Sequence, residues 1–316
     1  MSDDEWFQEE LYDSIEDDAD QYQFDITLGR DGGDFRFHTR NDGQQIQRAN
    51  IIDDVCRGLH IQAQIDRIIH GMSTESGDPA TLIVFGFRFN GFDDDRRFRS
   101  ANINILFQDF EKRRPHEGNF YDPEVIALWP EDTLQFSQTA VAVQNVKAVE
   151  VGADAGAMGF SAGVGFTREK QTNFQRTDKS TIRGAICLDM ETRNFGPDNS
   201  IQLWLRENKA EQSGVANHVR AVVLLKRKNM IDHFTASVKV DVSADVLYNT
   251  KRTMRKLLGG TGGNDPVVFK PGVQYLRPSI ELDPEAGYLA AEIDKDNLGA
   301  QMHKLKTDLR MAIKSW

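Results

Sequence analysis

Gly159-Phe160-Ser161-Ala162-Gly163 matches G-x-S-x-G, the pattern in which a sharp strand-to-helix turn lifts a nucleophilic serine out of a sheet. Asp189, Asp198, His218 and His233 follow in an order that suits a serine triad, so a hydrolase can be written from chain order alone. The neighbouring residues argue against it. Five glycines between Gly152 and Gly165 make the match easy to reach by composition, and the continuation from Gly163, GVGFTREKQTNF, does not open a helix. Ser161, His218 and His233 therefore stand as weak catalytic candidates, and no catalytic residue is assigned.

Other chemistries find less. Asp93-Asp94-Asp95 offers oxygen atoms to a calcium ion but lacks the spaced aspartates and glycine of an EF-hand loop, so it reads as a solvated loop. The histidines, at 38, 60, 70, 116, 218, 233 and 303, show no HxH or HExxH spacing, and no zinc site is expected. Gly259-Gly260-Thr261-Gly262-Gly263 has the composition of a phosphate loop without its Lys-Ser/Thr, and it follows an expected helix, so it reads as a C-cap and loop. No cofactor and no metal are expected.

Read as a strand, the serine pattern becomes more informative. Met158, Phe160, Ala162, Val164 and Phe166 share one face, and Gly159, Ser161, Gly163 and Gly165 share the other. A bare face lets another backbone approach closely. Val146–Val151 and the intervening GADAGA complete an expected hairpin. Its apolar alternation also has the length of a membrane-spanning β-strand, about 9 to 11 residues. Glu150 and Lys147 interrupt the partner strand, and ordinary sandwich packing explains the alternation without a membrane.

The elements that would position these residues are mostly strands. Phe24, Ile26 and Leu28 alternate with polar residues, as do Phe35 and Phe37, around the turn-like Arg30-Asp31-Gly32-Gly33. Ile51–Leu59 fits a helix or a strand, and Leu59, Ile61, Ala63 and Ile65 alternate as a strand. TLIVFGFRF at 81–89 and FRSANINILF at 98–107 are rich in β-branched and aromatic residues, and the spacing predicts a hairpin, with Ala101, Ile103, Ile105 and Phe107 on one face. Further strands are expected at 146–151, 158–166, 183–190, 200–206, 219–225 and 234–242. Val219–Leu225 is almost wholly apolar, which predicts a central strand covered on both faces. Ser243 is the expected N-cap of a helix carrying Val246, Leu247, Met254, Leu257 and Leu258, closed by Gly259-Gly260. A second, C-terminal helix is expected over 296–316, with Leu298, Met302, Leu305, Leu309, Ile313 and Trp316 at helical spacing.

Many strands with few helices predict a mainly β fold of antiparallel, sandwich-like sheets, with one internal helix and a C-terminal amphipathic helix. Pro115, Pro123 and Pro130 mark a boundary, so the expected division is an acidic arm at 1–23, β domains at 24–130 and 131–272, and a tail at 273–316. The segments ATLIVFGFRF, RRFRSANINILF, YDPEVIALWP, HVRAVVLLKRK and DPVVFKP resemble those of an uncharacterised family of β-rich proteins from filamentous fungi, over roughly residues 80 to 275. The resemblance implies a β-rich fold and carries over no functional residue.

The net charge of -11 over 316 residues disfavours a nucleic-acid binder. That charge is uneven. Residues 1–25 hold eleven acids and no Lys or Arg, and residues 220–256 hold nine basic residues against three acids. MSDDEWFQEEL does not resemble an export signal, and Cys56 and Cys187 lie outside any CxxC spacing, which predicts a cytoplasmic protein with two inert, buried thiols. With no clustered catalytic groups, the expectation is an intracellular interaction module with a protein partner. Its basic C-terminal helix would dock on the body, on the acidic arm or on an anionic membrane. The two alternatives are a pore-forming protein using the glycine-rich hairpin 146–166 and a serine hydrolase using Ser161.

Overall fold

Residues with β-branched and aromatic side chains assemble two antiparallel sheets in the computed structural model, which describes residues 25–27, 40–41, 45–56, 59–75, 77–92, 96–114, 119–150, 167–246, 264–280, 282 and 286–314. In chain order the strands are β1 (Asp25–Thr27), β2 (Asn50–Cys56), β3 (Leu59–Met72), β4 (Pro79–Gly91), β5 (Arg96–Asp109), β6 (Glu124–Trp129), β7 (Leu134–Glu150), β8 (Thr167–Cys187), β9 (Ser200–Arg206), β10 (His218–Lys226), β11 (Phe234–Val246), β12 (Val267–Phe269) and β13 (Tyr275–Leu276). One α-helix, α1 (Leu298–Lys314), closes the described chain. The first sheet runs β1-β11-β5-β9-β8-β7, with β12 also on β11, and the second runs β13-β3-β4-β10-β6, with β2 on β3.

The apolar runs explain the layering. Along β4, Ile83, Phe85, Phe87 and Phe89 enter the core between the two sheets, and Ala80, Leu82 and Val84 enter a second core on the opposite face. β10 divides in the same way, with Val219, Ala221, Val223 and Leu225 inside the sandwich and Val222 and Leu224 outside it. The second core is closed by Leu298, Met302, Leu305 and Leu309 of α1. The order is therefore sheet, sheet, helix. β4 and β10 read as continuous apolar segments because both of their faces are covered. As expected for a central strand, β10 is paired on both edges, with β4 and β6. The first sheet is covered on one face only at β5, where Ala101, Ile103, Ile105 and Phe107 are buried and Asn102 is exposed.

Three local expectations are corrected. The strands at 81–89 and 98–107 exist, yet they do not form a hairpin: β4 pairs with β3 and β10, while β5 pairs with β9 and β11. The connection passes from one sheet to the other, and Phe89 meets Phe98 across the interior with ring centroids 5.6 Å apart. Ser243 is not a helix N-cap, because β11 runs on through it and pairs it with Ser100; it is buried by the strands on either side, Asp25 of β1 being its other partner. The remainder of that expected helix, 247–259, lies outside the described residues. Finally, Val146–Glu150 pair with 167–171 and not with 158–166, so the hairpin is much longer than its sequence suggested.

Both sheets draw strands from each side of residue 130. Of the stretch 24–130, β1 and β5 lie in the first sheet, and β2, β3, β4 and β6 lie in the second. The acidic arm, 1–23, lies outside the described residues.

Candidate functional site

β7 and β8 contain no glycine or proline from Leu134 to Glu150 and from Thr167 to Arg183, and they pair from Leu134 opposite Ile182 to Glu150 opposite Thr167. β9 accompanies β8 only over 181–187. Beyond Thr139 and Asp178, no third strand lies beside either one among the described residues. The pair leaves the sandwich as a two-stranded ribbon that runs roughly 40 Å at about 3.4 Å per residue.

The root of this ribbon is firmly held. The register shifts between Phe136 and Thr139, and Ser137 takes a positive φ of 50°. Asn208, fully buried, answers the irregularity: its Nδ2 donates to the Ser137 carbonyl and to Thr139 Oγ1 (3.0 Å), and its backbone N–H donates to Ser180 Oγ (3.0 Å). Thr139 Oγ1 donates in turn to Glu211. The loop that carries Asn208 is fixed to β5, because buried Glu207 accepts from Arg97 Nε (3.0 Å) and from the Gly214 N–H (3.2 Å). Gly184 of β8 is required by close approach, since a Cβ there would collide with the Pro130 carbonyl oxygen.

A cavity of about 280 Å³ opens beside the root, lined among others by Trp129, Leu134, Phe136, Ile182, His218 and Tyr288. Arg220, also on its wall, is held by the fully buried Asp66, whose two oxygens meet Arg220 Nε and Arg277 Nε at 3.0 Å each.

The catalytic candidates are not gathered there. His218 begins β10 and lines the cavity, whereas His233 precedes β11, beyond the far end of β10, where its ring meets Phe110 edge-on at 5.9 Å. The nine residues of β10 separate the two by roughly 25–30 Å. Asp189 closes a turn, accepting from the Thr192 N–H at 3.1 Å, and the Asp198 carbonyl accepts from the Val125 N–H at 2.8 Å. Ser161, the triple aspartate 93–95 and the glycine loop 259–263 lie outside the described residues. Cys187 is a free, half-buried thiol 3.1 Å from Ser200 Oγ. Among the described residues no group of His, Cys, Asp and Glu could hold a metal ion. No described helix is long and apolar enough to cross a membrane, which says nothing of strands.

The strongest electrostatic perturbations lie at the end of the sandwich away from the ribbon. Burial pushes His70 down to about 4, with Arg227 adding to the shift and a hydrogen bond to the Val273 backbone opposing it. Burial likewise lowers Arg227 to about 10, against the attraction of Asp232. Arg113 is held well above its usual range by hydrogen bonds to Asp109 and Asp232.

The polar strand β8 is the part of the site that sequence reasoning missed. Its available signal was the run from 167 to 183 without glycine or proline, matched by an equally uninterrupted run in β7.

The fold and site define a mainly β protein of two antiparallel sheets with a projecting two-stranded ribbon. No protein-family profile matches the chain, and no curated protein does. Among solved structures, the Clostridium perfringens NetB toxin in its membrane-inserted form aligns over 72% of this chain and 92% of that one, at 7% identity and a TM-score of 0.23. A structure described as a pore forming protein aligns over 70% and 85%, at 6% identity and a TM-score of 0.27. At these scores neither likeness carries an argument.

Proposed function

We propose that this protein inserts the β7–β8 ribbon into a lipid bilayer as one hairpin of an oligomeric β-barrel pore. The observation that carries the reading is the ribbon itself: a long antiparallel pair whose outer edges meet no other strand among the described residues. A two-stranded hairpin alone is marginal in water, and its unpaired edges call for further strands. Neighbouring copies supply them. Side-by-side ribbons close into a barrel without edges, the only β arrangement that crosses hydrocarbon. Barrels have at least about eight strands, so at least about four copies are needed.

The residues between the two strands have the composition such a hairpin requires. In the sequence, Val151, Ala153, Ala155 and Ala157 and then Phe160, Ala162, Val164 and Phe166 alternate with Gly152, Asp154, Gly156, Ser161, Gly163 and Gly165. The apolar alternation runs over 149–157 on one side and 160–166 on the other, nine and seven residues, close to the length of a membrane-spanning strand, about 9 to 11 residues. In this reading Ser161 is one of the small residues of that alternation and needs no catalytic role.

A dye-leakage assay on lipid vesicles tests the proposal. Wild type is expected to release the dye, and a variant in which Asn-Gly replaces residues 151–166 is expected to keep its fold and lose release, since that two-residue turn closes the pairing at Glu150 and Thr167. A wild type that releases nothing across vesicle compositions would overturn it. The second reading is the interaction module, in which an unpaired edge of the ribbon accepts a strand from a protein partner. In that case the Asn-Gly variant, which retains both edges, still binds the partner, and vesicles stay intact.

A further inference from the structure

We infer that the cavity at the ribbon root binds a short anionic amphiphile, an alkyl carboxylate of the size of octanoate. Parts of the chain distant in sequence supply its apolar wall: Trp129 at the end of β6, Leu134 and Phe136 of β7, Ile182 of β8 and Leu309 of α1. A mostly apolar pocket with a few convergent polar groups is the usual form of a small-molecule site. The volume of about 280 Å³ sets the size of the occupant. It holds roughly nine groups the size of a water molecule, at about 30 Å³ each. A short alkyl chain with one small head fills that space.

The charge of the wall selects the head. Val222 and Leu224 of β10 lie in the second core beneath α1, and Arg220 and His218 continue the same face toward the root, since alternate residues of a strand share a face. Arg220 and His218 both line the cavity, and no aspartate or glutamate lines it among the described residues. Arg220 is held in place from behind. The fully buried Asp66 carboxylate meets Arg220 Nε and Arg277 Nε at 3.0 Å each and accepts from Gln64 Nε2 at 3.2 Å. Gly86, paired with Arg220 across the ladder, makes room for it, because a Cβ there would lie 3.0 Å from Asp66 Oδ2. One carboxylate shared by two guanidiniums leaves a net positive charge beside an apolar chamber. Charge taken out of water calls for a counter-charge, and a carboxylate suits the guanidinium fork. An alkyl carboxylate therefore complements the cavity in both its head and its tail. Leu134 and Ile182 face each other at the start of the ribbon, so the occupant also ties the ribbon root to β10 and α1.

Calorimetric titration of the full chain with octanoate, octan-1-ol and octyltrimethylammonium tests the site without a membrane, and so stands apart from the pore. Octanoate is expected to bind about tenfold or more tightly than octan-1-ol, the gain of a charge-assisted hydrogen bond. The ammonium compound should not bind. Amide exchange with octanoate present should slow at 134–136 and 180–182. Arg220→Gln with His218→Gln removes both cations of the wall and should lower octanoate to the affinity of the alcohol, with circular dichroism checking that the sheets are kept. Phe136→Ala leaves Asp66 and its partners untouched and should weaken octanoate and the alcohol alike. Octanoate that fails to bind wild type, binds no better than the alcohol, or slows no exchange at the root overturns the inference. A preference for octanoate that survives in the folded double variant overturns it as well.

Discussion

The strand pair β4–β10 and the strand pair β7–β8 are built from the same antiparallel ladder, yet they stand at opposite extremes of the molecule. In the first, Leu82, Ile83, Val84, Phe85 and Phe87 are fully buried, and the second sheet face is roofed by α1. In the second, Gln138, Ala140 and Thr177 are already exposed where the ribbon leaves the sandwich. The ladder hydrogen bonds are common to both, and their net contribution is modest, about 0.5–1.5 kcal/mol each. Buried apolar area separates them. The strands β4 and β10 are covered on both faces, whereas among the described residues no third strand lies beside the outer part of the ribbon.

The largest effect should come from breaking the sandwich at its centre. Phe85→Ala removes a fully buried ring that stacks with Phe87 and lies 6.4 Å from Phe107, and urea unfolding should show a loss of about 3–5 kcal/mol. A change below about 0.5 kcal/mol would place Phe85 in a surface class and dissolve the contrast.

The next effect is a pH dependence confined to the body. His70 is buried, with Nε2 3.1 Å from Gln47 Nε2 and Nδ1 2.9 Å from Thr81 Oγ1. Burial makes the charged ring costly, and Arg227 adds to that cost. With the folded value near 4 and an unfolded value of 6.5, the folded state prefers the neutral ring. The stability from His70 is therefore complete above pH 6.5 and is lost as pH falls toward 4, by about 3 kcal/mol. Urea midpoints measured from pH 7.5 to 4 should fall accordingly in wild type, and His70→Gln should flatten the curve.

A smaller effect is expected at the junction of the two regions. Asn208→Ala withdraws the amide from the Ser137 carbonyl and Thr139, at a cost of about 1–3 kcal/mol. Amide exchange should rise at the ribbon root before it rises in β10, and equal exchange in both would show that Asn208 does not hold the root. Smallest of all, Thr177→Ala on the exposed ribbon should change stability by no more than about 0.5 kcal/mol. A cost above about 2 kcal/mol would show the ribbon to be part of the cooperative core.

How much of this was legible follows from the kind of signal each element carries. β10 could be placed at the middle of a sheet from HVRAVVLLK alone, because an unbroken apolar run has no face left for water. The buried face of α1 was legible through Leu298, Met302, Leu305 and Leu309 at helical spacing. β8 was not. TREKQTNFQRTDKS shows no apolar alternation, with Phe174 its single large apolar residue, so it carries the composition of a loop. The weak catalytic candidates His218 and His233 are close in chain order but are set at opposite ends of β10 by the strand between them.

By itself, then, the sequence determined what each residue's immediate chemistry dictates: strand character, which strands must be covered on two faces, and the apolar stripe of α1. Tertiary structure decided the pairings. TLIVFGFRF and FRSANINILF are neighbours in sequence and apt to form a hairpin, yet β4 joins β3 and β10 while β5 joins β9 and β11, which sets their apolar faces against one another across the sandwich core. Ser243 capped a helix on local preference and became strand because Ser100 and Asp25 flank it. Local propensities are worth at most about 1 kcal/mol per residue, and burying one large side chain is worth about 1.5–3 kcal/mol, so where the two disagreed, burial set the fold.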